Sequence, residues 1–252
     1  MSEISGRTAL VTGAAKRIGR EIALALARAE VHCLLHYHRS AEDVAETAEE
    51  CRRIGVRAEA MQADFRELAE IEALAHSASE RHVDILVHNA STFSRVPFLE
   101  TALETHQHLL ERDLSLHVTT PYLLGRALGE SMVARGWGRI VLIGDWSTEA
   151  SVFRHYAPYI VSKAAIPELT KVLALELGTR SPAVTANAVL PGPILPGEGH
   201  DPDDVAMVQR QTIIGRWLGA EAIARAVVFL AENPEITGEA LRVDGGRSMK
   251  AL

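Results

Sequence analysis

Short apolar runs alternate along the chain with longer stretches in which apolar residues recur at helical spacing. The apolar runs predict strands at residues 7–12, 31–36, 56–61, 83–88, 139–144, 183–190 and 237–243. The intervening stretches predict helices at 18–29, 41–54, 66–80, 100–135, 157–178 and 220–232. Strands that alternate with helices pair in parallel through right-handed crossovers. We therefore expect an α/β fold with a doubly wound parallel sheet of about seven strands and helices on both faces.

Size and composition narrow this expectation. The 252 residues show no internal repeat or linker, so one domain over residues 1–252 is expected, and 47% hydrophobic residues suffice for its core. The net charge of −7 argues against a nucleic-acid partner. No leader precedes the first strand and no long apolar run occurs, which predicts a cytoplasmic protein without a membrane segment. Cys33 and Cys51 are isolated and no His/Cys cluster has zinc spacing, so no metal is expected.

The stretch RTALVTGAAKRIGR at residues 7–20 predicts a strand, a tight turn and a helix start. Gly13 permits a positive φ, and Gly19 lets the helix approach the strand or a ligand closely. The free N–H groups and the dipole of such a helix start favour a phosphate. The spacing differs from G-x-G-x-x-G, so the motif indicates either a Rossmann-type dinucleotide site or a glycine turn without a ligand.

The second predicted strand ends in HCLLHYHRSAED, where an acidic residue would be expected to hold the free ribose of NAD. A cation, hydroxyls and imidazoles stand there instead, which favours the 2′-phosphate of NADP(H), with Arg17 as a further phosphate contact; the alternative is a solvated polar loop. Asp64, after the third strand, either accepts from an adenine amino group or caps the next helix. The predicted phosphate loop consists of His36, Tyr37, His38, Arg39 and Ser40.

Residues 191–205, PGPILPGEGHDPDDV, are rich in proline and glycine and predict an irregular loop. In an open α/β sheet, loops at the carboxyl ends of strands hold ligands. We therefore expect the substrate beneath this segment, with residues 191–217 acting as substrate loop and lid.

Tyr159 and Lys163, in YIVSK, are the catalytic candidates. Residues four apart on a helix project from one face, so the ammonium is expected to lie near the phenol and to lower its pKa. A phenol tuned in this way can donate a proton. The pair would lie at the sheet edge to which the glycine turn delivers a nicotinamide.

Four motifs together resemble the short-chain dehydrogenase/reductase superfamily over nearly the whole chain. They are TGAAKRIG, in which Arg17 replaces the middle glycine of the family's turn, HNAS at 88–91, NAVLPG at 187–192 and RVDGG at 242–246. The resemblance implies a homotetramer built from the helices at 100–135 and 157–178. It also implies cofactor contacts from Gly13, Arg17, Ile18, Gly19, Asn89, Ala90, Ser91, Tyr159, Lys163, Pro191 and Gly192.

Within that superfamily, the chain resembles the pteridine reductases and the bacterial dihydromonapterin or dihydrofolate reductases. TGAAKRIG and HYHRS are typical of that branch, NASTF resembles its NASSF, and Asp145 stands where most members have the active-site serine. The resemblance implies that Phe93 stacks on the pterin ring and that Ser91 and Arg17 hydrogen-bond it.

The implied reaction is hydride transfer from NADPH to a C=N bond of a dihydropterin. Tyr159 would donate the proton with the help of Asp145, while Lys163 would bind the nicotinamide ribose. The alternatives are NADPH-dependent reduction of another carbonyl, such as a 3-oxoacyl thioester or small ketone, and an NADP(H)-binding regulator without chemistry.

The chain departs from the family pattern at two points. Asp145 precedes Tyr159 by fourteen residues, one more than is usual in the family, so Ser147 is an alternative occupant of the serine position. His117 stands where the superfamily has an asparagine that holds a water for proton relay. Histidine can also relay protons.

Overall fold

Seven parallel strands form one sheet in the order β3-β2-β1-β4-β5-β6-β7. The computed structural model describes residues 2–149, 153–196 and 202–249. The strands are β1 (Thr8–Val11), β2 (His32–Tyr37), β3 (Ala58–Gln62), β4 (Ile85–His88), β5 (Gly138–Ile143), β6 (Val184–Pro191) and β7 (Ala240–Val243). The helices are α1 (Arg17–Arg28), α2 (Ala41–Ile54), α3 (Leu68–Glu80), α4 (Leu103–Leu114), α5 (Thr120–Arg135), α6 (Ala157–Lys163), α7 (Ala165–Gly178), α8 (Pro202–Arg210) and α9 (Ala220–Glu232).

Helices cover both faces of this sheet. On one face α1 packs against α9 through buried residues such as Ile22, Leu26 and Val227. On the other face α3, α5 and α7 enclose a second core around Leu124 and Leu173. The central strands are buried on both sides, which is why they consist almost entirely of apolar residues. The predicted doubly wound α/β architecture is confirmed.

The strand order reverses between β1 and β4, which pair directly. Connections from these two strands leave to opposite sides of the sheet, so their carboxyl ends open a crevice. Residues that follow β1, β2, β4, β5 and β6 therefore meet at one edge. This is the edge at which the sequence placed its candidate residues.

The helix predicted over 100–135 is interrupted. A π-helical turn, Ser115–Thr119, separates α4 from α5. Pro121 has no N–H with which to continue the α-helical pattern, and Thr120 Oγ1 donates to the Ser115 carbonyl over 2.8 Å. The interruption directs the buried His117 toward α6.

Two further predictions differ from the structure. The helix predicted over 157–178 is divided at Ala164 into α6 and α7, where Pro167 in the first turn of α7 supplies no N–H. The segment 191–205 is not irregular throughout, because α8 begins at Pro202, a residue suited to a first helical turn. Residues 197–201 of the predicted substrate loop lie outside the described ranges.

Candidate active site

The turn between β1 and α1 is fixed to the end of β4 by hydrogen bonds. Thr12 Oγ1 accepts from the backbone N–H groups of Asn89 (2.9 Å) and Ala90 (3.0 Å). Asn89 Nδ2 donates to the carbonyls of Thr12 and Gly13, both over 3.1 Å. Asn89 and Ala90 thus join the two walls of the crevice. The role of Thr12 as the acceptor of both N–H groups was not predicted from the sequence.

Glycine is required at two positions of this turn. Gly13 has a φ of +64°, and a Cβ there would lie 2.9 Å from Ala90 Cα. A Cβ on Gly19 would lie 2.0 Å from the Gly13 carbonyl oxygen. The backbone therefore stays bare at the amino end of α1, and the first turn of that helix carries no acidic residue. Such an arrangement suits an anion.

Arg17 occupies the left-handed region that the family's glycine would favour, with a φ of +53°. This conformation costs a non-glycine residue about 1–2 kcal/mol. Its guanidinium donates to the carbonyls of Leu195 (3.2 Å) and Pro196 (3.4 Å). Arg17 therefore spans the crevice between the glycine turn and the segment that follows β6.

A cavity of about 440 Å³ lies between the ends of β2, β3 and β4. His38 and Arg39 line it together with Arg66, His108 and Arg112, so basic groups surround it. Arg39 is exposed and makes no hydrogen bond or ion pair with any described residue. Tyr37 is half-buried at the end of β2, and Ser40 directly precedes α2.

His36 and Asp64 have protein partners in the same region. The Gly13 N–H donates to His36 Nδ1 (3.2 Å), Nε2 donates to the Ala63 carbonyl (3.0 Å), and burial lowers the pKa of His36 to about 4. Asp64 binds Arg66 and lies 3.3 Å from His38 Nε2, and the hydrogen bond from Arg66 lowers its pKa to about 2. Asp64 does not cap α3, which begins at Leu68.

Tyr159 and Asp145 form the centre of a second cavity. The Tyr159 hydroxyl donates to Asp145 Oδ2 over 2.7 Å. The other carboxylate oxygen, Oδ1, accepts from the N–H (2.9 Å) and hydroxyl (2.6 Å) of Ser147. One carboxylate thus joins both candidate hydroxyls, and Asp145, not Ser147, contacts the phenol.

Lys163 lies behind the phenol rather than on it. Its Nζ donates to the Ile143 carbonyl over 2.7 Å and lies 5.9 Å from the Tyr159 ring centroid. Burial lowers the pKa of Lys163 to about 8, although Asp145 and Asp113 oppose this shift. Burial, and then the Asp145 charge, raise the pKa of Tyr159 well above its ordinary value. The lowered phenol pKa expected from the spacing is therefore wrong, because burial and the charges of Asp145 and Asp113 raise the pKa of Tyr159.

His117 connects the π-helical turn to both sides of the site. Its Nδ1 lies 2.8 Å from Ser162 Oγ, and its Nε2 lies 2.8 Å from Ser91 Oγ. The Ser162 hydroxyl itself donates to the Tyr159 carbonyl over 2.8 Å. Burial lowers the pKa of His117, so the ring is neutral. His117 therefore holds Ser91 directly and reaches the backbone of Tyr159, in the first turn of α6, through Ser162.

The cavity around Tyr159 has a volume of about 400 Å³ and is rich in aromatic side chains. Phe93 is 56% exposed, with its ring 4.9 Å from the Tyr159 ring in an edge-on arrangement and stacked on Tyr156 at 4.2 Å. Ser91, Arg17, Pro191 and Gly192 also line this cavity. Sequence reasoning missed Trp146, Phe153, Tyr156, Trp217 and Arg247.

The two cavities share Ser91 and flank the glycine turn, so they form one crevice along the sheet edge. A bare helix start lies between a basic pocket and an aromatic cleft that holds Tyr159. A bare helix start of this kind suits a phosphate group, and the crevice lies where open α/β sheets bind ligands. Among residues 2–149, 153–196 and 202–249, no group of three or more His, Cys, Asp or Glu could hold a metal ion. No helix of these ranges is long and apolar enough to cross a membrane.

Comparisons with known proteins show to which class of protein this fold and site belong. The family described as Enoyl-(Acyl carrier protein) reductase matches residues 13–248. A short-chain type dehydrogenase/reductase of Picea abies is 32% identical, covering 97% of this chain and 93% of that protein. The L-xylulose reductase of Mesocricetus auratus is 31% identical over 96% of this chain and 97% of its own length.

A solved structure shows the same fold. It is a blue fluorescent protein from a metagenomic library in complex with NADPH, with a TM-score of 0.87 and 31% identity over 97% of this chain and 99% of that chain. The chain belongs to the short-chain dehydrogenase/reductase superfamily and is an NAD(P)-dependent oxidoreductase that acts on a small molecule.

Proposed function

We propose that this enzyme uses NADPH to reduce a dihydropterin to its tetrahydro form. The observation that carries the proposal is the hydrogen bond of 2.7 Å from the Tyr159 hydroxyl to Asp145. A carboxylate can return a proton from water to a phenol that has protonated an imine nitrogen. A ketone, by contrast, needs hydroxyl donors that point at its oxygen, and here Asp145 accepts from both hydroxyls.

Tyr159 is the proton donor in this mechanism. Because its pKa is raised, the phenol keeps its proton until a basic ring nitrogen approaches. Asp145 is half-buried at the cleft wall and orients that hydroxyl. Lys163 places a positive charge behind the phenol, where it favours the phenolate that remains after transfer. NADPH, when bound, supplies the hydride.

Aromatic side chains suit a flat heterocyclic substrate. Phe93 is 56% exposed with its ring 4.9 Å from the Tyr159 ring, and Trp146 and Trp217 line the same cleft. Ser91 and Arg17 offer polar atoms at the end next to the glycine turn. We propose that the pterin ring stacks on Phe93, with Ser91 and Arg17 bonded to its edge.

The preference for NADPH is proposed from the basic cavity. Arg39, His38, Tyr37 and Ser40 would hold the 2′-phosphate, while His36 shapes the turn from behind. Asp64 keeps an adenine-side position through Arg66. The residues that would hold the remainder of the coenzyme are Gly13, Arg17, Ile18, Gly19, Asn89, Ala90, Ser91, Tyr159, Lys163, Pro191 and Gly192. The segment 191–217 would act as substrate loop and lid.

The test measures the oxidation of NADPH by its absorbance in the presence of dihydrobiopterin, dihydromonapterin or dihydrofolate. We expect turnover with at least one of them and none with NADH at the same concentration. The second candidate is reduction of a ketone, favoured by Ser147 beside Asp145 and by relatives such as L-xylulose reductase. Turnover of L-xylulose or a 3-oxoacyl thioester without any pterin turnover would replace the first proposal by the second.

We propose a homotetramer as the assembled form. Tyr122 on α5 and Val172 and Leu175 on α7 are large apolar residues with 48–66% of their surface exposed. Tyr122 and Val172 line one groove, and Leu175 lies three residues after Val172 on α7, so a second copy of the chain could cover all three. Light scattering should give four times the chain mass, and Leu175→Glu should lower it; a monomeric wild type would contradict the proposal.

A further inference from the structure

Arg247 is a cation in the substrate cleft to which neither the resemblance nor the proposed mechanism gives a role. It lies in the 3-10 turn Arg247–Met249 that follows β7. Its side chain lines the same cleft as Asp145, Tyr159 and Phe93. The question is which ligand group this guanidinium fits.

The turn that carries Arg247 is firmly held. The Asp244 carboxylate accepts from the N–H groups of Gly246 (2.9 Å) and Ser248 (2.8 Å), and the Arg247 N–H donates to the Asp244 carbonyl (3.2 Å). A Cβ on Gly192 would lie 2.4 Å from Asp244 Cα, so the turn packs directly on the end of β6. Arg247 is therefore presented to the cleft from a fixed position.

The guanidinium packs against an aromatic ring, and its side chain forms no hydrogen bond to any residue in the ranges that the structure describes. Its Cζ lies 5.0 Å from the ring centroid of Trp146, which is a cation–π arrangement. Its Nε is buried and has no hydrogen-bond partner among the described residues.

Burial lowers the pKa of Arg247, and the charges of Asp145 and Asp244 oppose this shift. Asp145 gives its two oxygens to Tyr159 and Ser147, and no described carboxylate lies within ion-pair distance of Arg247. A buried donor without a partner is costly, so a ligand acceptor would stabilise it.

In the part of the chain that the structure describes, the other two cations of this cleft bind protein carbonyls and already have proposed roles, Arg17 at the pterin edge and the coenzyme phosphate, and Lys163 behind the phenol. Arg17 donates to the carbonyls of Leu195 and Pro196, and Lys163 donates to the Ile143 carbonyl. Arg247 therefore has unused donors at the substrate end. A guanidinium presents paired N–H donors that match the two oxygens of a carboxylate.

We propose that Arg247 binds a carboxylate of the substrate, so that the preferred dihydropterin carries an acidic side chain, as dihydrofolate does, rather than a neutral one. This inference rests on the proposed dihydropterin reduction and names the substrate class of the same site. Arg247 is a specificity residue in this scheme and takes no part in proton transfer.

The first experiment compares dihydrofolate with dihydrobiopterin for the wild type and Arg247→Met. Losing a charge-assisted hydrogen bond should raise KM for dihydrofolate about 10- to 100-fold. The KM and kcat of Arg247→Met for dihydrobiopterin should differ from the wild-type values by less than about threefold, because dihydrobiopterin has no carboxylate. The matched control is Arg242→Met, which removes the same charge from a residue 3.9 Å from Glu149. Equal losses with both pterins, or none with either, would overturn the proposal.

A second experiment separates this inference from the proposed reaction. Binding of 4-aminobenzoylglutamate, which has the carboxylates but no pterin ring, is followed by tryptophan fluorescence of the NADP⁺-loaded enzyme. We expect saturable binding that weakens at least about tenfold in Arg247→Met and also weakens with salt. If this binding is seen but no pterin is reduced, the proposed pterin substrate is wrong and the proposed carboxylate site at Arg247 still stands. No binding, or equal binding to both proteins, would overturn the carboxylate site even where pterins are reduced.

Discussion

The Tyr159 hydroxyl donates to Asp145 Oδ2 over 2.7 Å, so an acidic side chain rather than a serine is the immediate partner of the phenol. Ser147 lies on the far oxygen of the same carboxylate. Asp145 caps the 3-10 turn Trp146–Thr148 by accepting from the N–H of Ser147. The carboxylate of Asp145 therefore lies between the Tyr159 phenol and the Ser147 hydroxyl and accepts a hydrogen bond from each.

The first prediction concerns this pair. Tyr159→Phe removes the proton donor, so we expect kcat to fall about 10²- to 10⁴-fold with the NADPH Kd nearly unchanged. Asp145→Asn should lower kcat in the same range, because an amide cannot return a proton to the phenol. Ser147→Ala is the matched control and should lower kcat by less than about tenfold. Full activity of Tyr159→Phe would remove the tyrosine from the mechanism.

The second prediction concerns pH and Lys163. Its pKa of about 8 means that the ammonium loses its proton as the pH rises through that value. The charge that favours the phenolate is then lost, so kcat/KM should fall on the alkaline side with a midpoint near 8. The pH profile of steady-state turnover measures this limb. Lys163→Arg keeps its charge, so any residual activity of that variant should not show the same alkaline fall.

The third prediction concerns the basic cavity. Arg39→Ala should raise the Kd for NADPH about 10- to 100-fold, since it removes a charge-assisted contact to the 2′-phosphate. The Kd for NADH should change less than about threefold. Titration calorimetry with each coenzyme measures both constants. The control is Arg53→Ala, a residue 71% exposed in its side chain and paired with Glu49 on α2. Equal weakening of the two coenzymes would place the phosphate elsewhere.

The fourth prediction concerns acid stability and His88. His88 is buried between Thr12 and the Leu116 carbonyl, and burial lowers its pKa from 6.5 to about 3. Between these values the unfolded chain binds a proton that the folded chain does not, so stability falls as the pH drops below 6.5. His88 contributes at most about 1.4 kcal/mol per pH unit to this slope.

Urea unfolding between pH 5 and 7 tests the contribution of His88. We expect His88→Asn to show a shallower loss of stability with falling pH than the wild type. His76→Asn is the control, because the side chain of His76 is 77% exposed. An unchanged slope in His88→Asn would show that this ring does not stay neutral in the fold.

The fifth prediction compares two glycines. Gly192→Ala forces a Cβ to within 2.4 Å of Asp244 Cα, so we expect a loss of about 1–3 kcal/mol in the free energy of unfolding. At Gly178 the nearest atom to a Cβ is the Val184 carbonyl oxygen at 3.6 Å, and Gly178→Ala should change stability by less than about 1 kcal/mol. Thermal unfolding measures both, and similar values for the two would contradict the close packing at Gly192.

Much of the fold could be predicted because each buried strand is a short apolar run. β4 and β5 are buried at every residue and were placed to within about two residues by hydrophobicity alone. The π-helical turn could not be found in this way, because it changes the hydrogen-bond register rather than the apolar spacing. Its signal is Pro121, which lies in the first turn of α5 and has no N–H to donate to the carbonyl four residues before it, that of His117.

The site was predictable where one motif carries the chemistry. The spacing of Tyr159 and Lys163 places both on α6. The raised pKa of the Tyr159 phenol was not predictable, because spacing does not report burial or the approach of Asp145. Arg247 was missed because it belongs to a C-terminal turn whose nearness to Trp146 depends on the path of the chain after β7.

Arg17 has two sets of partners within reach: the carbonyls of Leu195 and Pro196 that it binds, and any phosphate held at the amino end of α1. We expect a guanidinium drawn to a pyrophosphate to loosen its bonds to those carbonyls, which lie next to the cavity around Tyr159. Coenzyme binding would then change the cavity that the second reactant enters. We expect a compulsory order of addition, with the nucleotide first, visible as competitive inhibition by NADP⁺ against NADPH alone.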